Sequence, residues 1–465
     1  MFRSLRLFLT GPSDETRPNA GEYEPLSVGD DASSHRDSMK DLRHEPKVYF
    51  AFWVLGAGVL LSWNALLCTI PLLISFFPPD STVRSSLASY ISSSYCFGNL
   101  FFLGLAQRNV GKSSPSKRIH WSLILLLITS LILSFPLLPM VLPNLSPSTL
   151  FPVLMGTTTI LSISTAYLQS GVFALASLWG SKEILGVMSG QGGIAVLVSL
   201  VQLVLAMISS SHQQTTLPGD GDEQVTKAST LAGVGLWALG SIGSLACLVA
   251  HRYLLSHSEY TSISTSTNTN GNADYDGEEK KGLTYKVFKK NMLLMIAVAW
   301  VFIVTLSIFP PVTTTILSTH QPTPRLLQPD IFIPLHFLIF NVGDYIGRTY
   351  LPSIHFMFTT SPPRILLLSL SRTLFIPLLF LCNTTPRSSP PIFNSDLIYL
   401  LVILTLGMSN GYIGSLCMIV ASSPEFNKRI EEDERDVAGT LASFCLVAGL
   451  AIGSAASFGV SAWIE

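Results

Sequence analysis

The feature that most limits how this chain folds is a series of charge-free stretches, each about as long as a membrane is thick. An α-helix needs about 20 residues to cross a hydrocarbon core of roughly 30 Å. Counting the gaps between charges and turn signals predicts eleven such helices, at about 48–77, 86–107, 119–141, 150–180, 184–209, 229–254, 291–316, 331–356, 364–383, 396–421 and 437–463. The uncharged run from Ile119 to Ser181 must hold two of them, divided at Leu142-Pro143-Asn144-Leu145-Ser146-Pro147. Only 12% of the 465 residues are charged, against roughly 25% in soluble domains. The expected fold is an all-α polytopic protein solvated by a lipid bilayer.

The loops set its orientation, because Lys and Arg are retained in the cytoplasm. Arg36, Lys40, Arg43 and Lys47 precede the first helix. Alternate loops then carry Arg108, Lys112, Lys117 and Arg118, then Lys182, then Arg252 with the cluster Lys280 to Lys290, then Arg364, then Lys428, Arg429 and Arg435. Intervening loops hold only Arg84, Lys227, Arg325 and Arg387. This predicts a cytoplasmic N-terminus and, with an odd helix count, a C-terminus on the other side. The sequons at Asn144 and Asn383 fall in loops of that other side, where glycans are added. Residues 1–47 are polar and read as a disordered cytoplasmic tail, not a signal peptide. A Ser/Thr/Asn/Gly-rich cytoplasmic linker loop, 256–289, separates a six-helix bundle, 48–255, from a five-helix bundle, 290–465. Tyr23-Glu24-Pro25-Leu26 resembles a tyrosine-based sorting signal, which leaves plasma membrane and vacuolar or lysosomal membrane both open.

Several function classes are disfavoured. Lys+Arg at 28 against Asp+Glu at 29 gives no field for a nucleic acid polymer. Gly111-Lys112-Ser113 lacks a glycine at position 106, where Ala106 stands, so it is no phosphate loop. No Ser/His/Asp set or intramembrane His-x-x-x-His stands at interpretable spacing, and the run Glu431 to Glu434 reads as a solvated loop. The six cysteines (Cys68, Cys96, Cys247, Cys382, Cys417, Cys445) are scattered singly and read as packing residues. No enzyme, metal site or cofactor is expected.

Ionisable residues inside a bilayer cost at least a few kcal/mol and mark functional sites. Asp344 and Arg348 lie one turn apart in the eighth helix, where they present a carboxylate and a five-donor fork to a cavity. A buried pair that only locks helix packing is the competing reading. Arg372 in the ninth helix reads as structural, snorkelling toward the cytoplasm. Trp63-Asn64 in the first helix and Gln169 in the fourth offer a stacking face and paired donors and acceptors, which suit a flat heterocycle with polar edges. Each is also a common helix-packing residue. Gly186-xxx-Gly190 and Gly449-xxx-Gly453 read as close helix approaches.

These residues sit in segments with a family resemblance. Gly56-Ala57-Gly58-Val59-Leu60-Leu61-Ser62-Trp63-Asn64 resembles the first-helix signature of equilibrative nucleoside transporters. Met188-Ser189-Gly190-Gln191-Gly192 resembles their fifth-helix motif, and Phe340-Asn341-Val342-Gly343-Asp344-Tyr345-Ile346-Gly347-Arg348 their eighth. Arg372-Thr373-Leu374-Phe375-Ile376-Pro377-Leu378 and Ser409-Asn410-Gly411-Tyr412 follow in order. The resemblance implies eleven helices in a six-plus-five arrangement like that of major facilitators, and facilitated diffusion of nucleosides, sometimes nucleobases. It implies that Leu60 and Trp63 pack against the base, that Gln169 bonds its edge, and that Asp344 and Arg348 engage the ribose, supported by Asn64 and Asn341. Proline commonly precedes the family's Trp-Asn pair, where this chain has Ser62, and Gly171 beside Gln169 bears on pocket shape. A proton-coupled nucleoside carrier, or a facilitator of another small polar solute, is the alternative.

Overall fold

The computed structural model describes residues 46–78, 81–108, 114–212, 221–257, 277–320, 322–384 and 391–464. The tail through residue 45, its sorting motif and most of the linker loop lie outside them. Eleven long helical segments follow in order: α1 (Pro46–Ser75), α2 (Thr82–Arg108), α3 (Pro115–Ile132), α4 (Pro147–Trp179), α5 (Ser181–His212), α6 (Gly221–Ser256), α7 (Gly277–Ile308), α8 (Pro329–Thr349), α9 (Pro362–Ser371), α10 (Asp396–Ser422) and α11 (Arg435–Ile464). α9 continues through a 3-10 turn, Arg372–Leu374, into a short helix, Phe375–Phe380.

Among the described residues, nine of these segments are apolar and long enough to cross a membrane unaided. α2 and α8 fall short, α2 through serines such as Ser92, Ser93 and Ser94, α8 through Asp330, His336, Asn341, Asp344 and Arg348. Their neighbours explain how a bilayer tolerates them. α2 packs on α4 and α11, and α8 on α5 and α10, so protein takes up polar surface that lipid would not.

Neighbouring helices show which way each runs. α1 and α5 are parallel: Gly186 meets Tyr49 and Gly190 meets Trp53. Leu61, about two turns beyond Trp53, packs against Ile194 and Val198, one and two turns beyond Gly190. α8 and α10 are parallel in the same way, with Gly407 on Phe340 and Gly411 on Asp344. A side chain at Gly190 or Gly411 would collide with the facing backbone, so these glycines set the approach of the helices. α8 runs antiparallel to α5, and α4 antiparallel to α11, as Asn341–Ser199 with Arg348–Gln191 and Gln169–Ser443 with Ser177–Gly439 show. Odd-numbered helices therefore start on one side, called here the near side, and even-numbered helices on the far side.

Local departures from the expected elements have plain causes. α7 starts at Gly277, inside the expected 256–289 loop. Its near end is held by Lys290, which donates to Glu431 at 2.9 Å and Glu434 at 2.6 Å, while Lys286 lies 3.3 Å from Glu434. The acidic run read as a solvated loop thus includes a 3-10 turn, Glu432–Glu434, whose last carboxylate is buried. α3 widens into a π-helix, Leu133–Val141, where Pro136 and Pro139 cannot donate the usual backbone bonds. α8 ends at Thr349 rather than near 356, because Pro352 follows. Arg118, counted above among loop bases, is buried in α3 and donates to Ser170. On the far side Asn383 spends its amide on the carbonyl of Leu317 at 3.0 Å, a structural use of that sequon residue.

Candidate functional site

Asp344 and Arg348 project from one face of α8, one turn apart, and pair directly: Arg348 Nε donates to Asp344 Oδ2 at 2.6 Å. Both are buried. Removing two such ions from water costs several kcal/mol each unless further hydrogen bonds compensate, and here they do. Asn410 of α10 donates to Asp344 Oδ1 at 2.6 Å, and Arg348 Nη1 donates to Gln191 Oε1 of α5 at 3.1 Å. Behind Asn410, Thr305 of α7 donates to its Oδ1 at 2.8 Å. Thr305 in turn accepts from Arg372 Nη2 at 2.7 Å, and Arg372 Nη1 donates to Ser409 at 2.8 Å. A continuous polar path therefore runs from the α9 region through α7, α10 and α8 to α5, with one carboxylate set between two guanidinium groups.

Arg372 does not snorkel. It is 1% exposed and bonded to protein on three sides, Leu406 included. Its place is inside the network.

Gln169 lies in the same buried layer. Its Nε2 donates to Ser443 of α11 at 2.9 Å, so the amide expected to meet a ligand here joins the first six helices to the last five. Arg348–Gln191 is the other bridge of that kind in this layer. Arg118 of α3 lies within charge range of Asp436 of α11, closer to the near side.

A second layer sits one to two turns toward the far side. Leu60, Trp63, Asn64 and Asn341 are all half-buried. Asn341 donates to Ser199 of α5, and α5 is a shared wall, since Ile194 and Val198 carry the cluster that Leu60 borders. Asn64 turns its nitrogen back onto the Leu60 carbonyl at 2.8 Å, which fixes its amide within α1. Trp63 stacks on Tyr95 of α2, ring centroids 4.3 Å apart and planes at 29°. α1 is a single helix through Ser62, whose hydroxyl lies 3.3 Å from Thr165 Oγ1.

The structure thus places the seven expected residues in two layers, half-buried Leu60, Trp63, Asn64 and Asn341 above buried Gln169, Asp344 and Arg348. Partners the sequence reading did not name as site residues complete them. Gln191 and Asn410 had a signal, being polar residues in apolar helices and in quoted motifs. Thr305, Ser199, Tyr95 and Thr165 had none, since such residues are ordinary on membrane helices. Among the described residues no group of His, Cys, Asp or Glu is placed to hold a metal.

Residues 248–462 match the family model described as "Nucleoside transporter". The chain is 27% identical to equilibrative nucleoside transporter 2 of Homo sapiens, over 91% of this chain and 98% of that protein. It is 27% identical to the nucleoside transporter FUN26 of Saccharomyces cerevisiae, over 95% and 87%. In fold it is similar to the major facilitator proton:xylose symporter XylE (TM-score 0.55, 13% identity, 90% of this chain and 88% of that one). It is likewise similar to the major facilitator FucP in its outward conformation (TM-score 0.52, 12% identity, 90% and 98%). With the motifs in order along a multi-pass helical fold of the major facilitator type, and relatives aligned almost end to end, the chain is similar to equilibrative nucleoside transporters over most of its length.

Proposed function

We propose that the protein carries nucleosides across its membrane by facilitated diffusion, binding them at mid-depth between a six-helix bundle, 48–255, and a five-helix bundle that begins near 290. The observation that carries this reading is the buried Asp344–Arg348 pair, tied to α5 through Gln191 and lying beneath a half-buried tryptophan. A neutral nucleoside leaving water must recover its hydrogen bonds, each worth about 0.5–1.5 kcal/mol net and more when the partner is charged. Arg348 has five donors and Asp344 several lone pairs, which suit the vicinal hydroxyls of a ribose. Trp63 supplies the apolar face for the base.

The bridges Gln169–Ser443 and Arg348–Gln191 join the bundles beneath the half-buried layer. In this reading they close the near side, and a ligand arriving from the far side meets Trp63 and Asn341 first. Deeper entry exchanges Ser443 and Gln191 for ligand hydroxyl and base-edge groups, which loosens the closure and lets the bundles rock. The basic loops support a cytoplasmic near side. The deciding experiment is uptake of labelled uridine and adenosine into proteoliposomes, with and without a pH gradient, for wild type and Arg348→Ala. Saturable uptake that ignores the gradient and is lost in the variant supports the proposal. Uptake that follows the gradient supports proton coupling, and no uptake by a folded wild type overturns the nucleoside reading.

A further inference from the structure

Trp63 does not stand free. One face of its indole lies on the ring of Tyr95, and Tyr95 is itself pinned: its hydroxyl donates to Thr165 Oγ1 at 2.8 Å, and Thr165 Oγ1 lies 3.3 Å from Ser62 Oγ. Tyr95, Thr165 and Ser62 are all buried, whereas Trp63 is half-buried. Three helices, α1, α2 and α4, thus meet at one indole. Ser62 adds a weaker contact to this anchor, its hydroxyl 3.3 Å from Thr165, which a proline there has no hydroxyl to make. Gln169 stands one turn along α4 from Thr165, so the same helix positions both the indole's support and the amide of the buried layer.

We propose that Tyr95 is a positioning residue that sets base selectivity. Resting on the reading that Trp63 stacks on the nucleobase, the inference is that Tyr95 occupies one indole face and, with Thr165 and Ser62, fixes the orientation of the other. A ligand then meets a preformed surface and does not have to order the tryptophan on binding. Tyr95 also fixes the tilt of the indole, and a misaligned face loses contact in proportion to the area stacked on it, so without the support a two-ring purine loses more than a one-ring pyrimidine. Removing the support costs purines affinity first, and it acts on binding rather than on the rocking of the bundles.

The test compares KM and kcat for adenosine and uridine in proteoliposomes for wild type, Tyr95→Leu, Tyr95→Phe and Ser62→Ala. The expected result for Tyr95→Leu is an adenosine KM raised about threefold to tenfold, the loss expected when a two-ring base stacks on a misaligned indole, with uridine KM changed about twofold or less and kcat preserved. Tyr95→Phe keeps the ring and most of the packing, so it restores most of the adenosine preference; Ser62→Ala falls close to wild type because the Tyr95–Thr165 bond remains. Equal loss for both nucleosides, or a fall in kcat alone, overturns the proposal. Tyr95→Phe behaving like Tyr95→Leu overturns the stacking argument within it. If the wild type transports neither nucleoside, the carrier reading itself fails, an outcome the variants do not mimic.

Discussion

The two layers of the site are built on opposite principles. The buried layer is ionic and crosses between the bundles: Asp344, Arg348 and Gln169 each bond to a different helix, and the path extends to Arg372. The half-buried layer is aromatic and belongs mostly to the first six helices, where Trp63 rests on Tyr95. Buried ionic groups are costly to leave without partners, so substitutions in the first layer are expected to be costly. An aromatic surface gains its energy from area and accepts a range of ligands. On the proposed function, the shared sugar falls to the layer that tolerates little change, and the variable base to the layer that tolerates more.

Substitutions sharpen or break this contrast. The largest effect is expected at Arg348. Arg348→Ala strands a buried carboxylate, and losing one partner of such a pair costs about 3–5 kcal/mol, so kcat/KM for adenosine and uridine should fall together by about a hundredfold or more. Measuring both nucleosides is essential, since a loss confined to one base would place the pair near the base and not the sugar. Asn410→Ala should be next. It leaves Asp344 Oδ1 short of a donor, which costs about 1–3 kcal/mol, so transport of both substrates should drop about tenfold, with a lower melting temperature for the purified protein. Unchanged transport would show that the network behind Asp344 is only structural.

Trp63→Ala belongs to the other layer and should raise KM by roughly five- to tenfold, the equivalent of about 1–1.5 kcal/mol of aromatic packing, with kcat nearly intact. A collapse of kcat would instead tie this indole to the closure of the bundles. The smallest effect is expected at Ser199, where Ala removes one neutral hydrogen bond to Asn341, worth about 0.5–1 kcal/mol, and changes KM two- to fivefold. A larger loss would make Asn341 a direct ligand that depends on its α5 partner.

Much of the molecule was legible because lipid makes sequence literal. A helix in hydrocarbon must satisfy its own backbone, so charge-free length reveals the spans, and an intramembrane Asp and Arg announce themselves. Even α2 and α8, too polar to pass on hydropathy alone, were recoverable from their flanking turn signals. Harder to read were features set by a neighbour's side chain. The anchoring of α7 through Lys286 and Lys290 depends on Glu431 and Glu434 from a distant part of the chain, and the burial of Arg118 on Ser170. Arg372 looked like a snorkelling base because sequence gives its depth but not the hydroxyls of Thr305 and Ser409 around it.

The sequence by itself pointed to eleven helical segments in this order, to the resemblance to nucleoside transporters and to the pair on α8, since all of these follow from one-dimensional patterns of polarity and motif. Only the tertiary structure decided that Gln169 bridges to Ser443, that Gln191 and Asn410 complete the ion pair, and that Tyr95 backs Trp63. Those facts depend on which helix faces which across gaps of a few ångströms, and helix-to-helix registry is fixed by packing between distant segments rather than by anything within one of them.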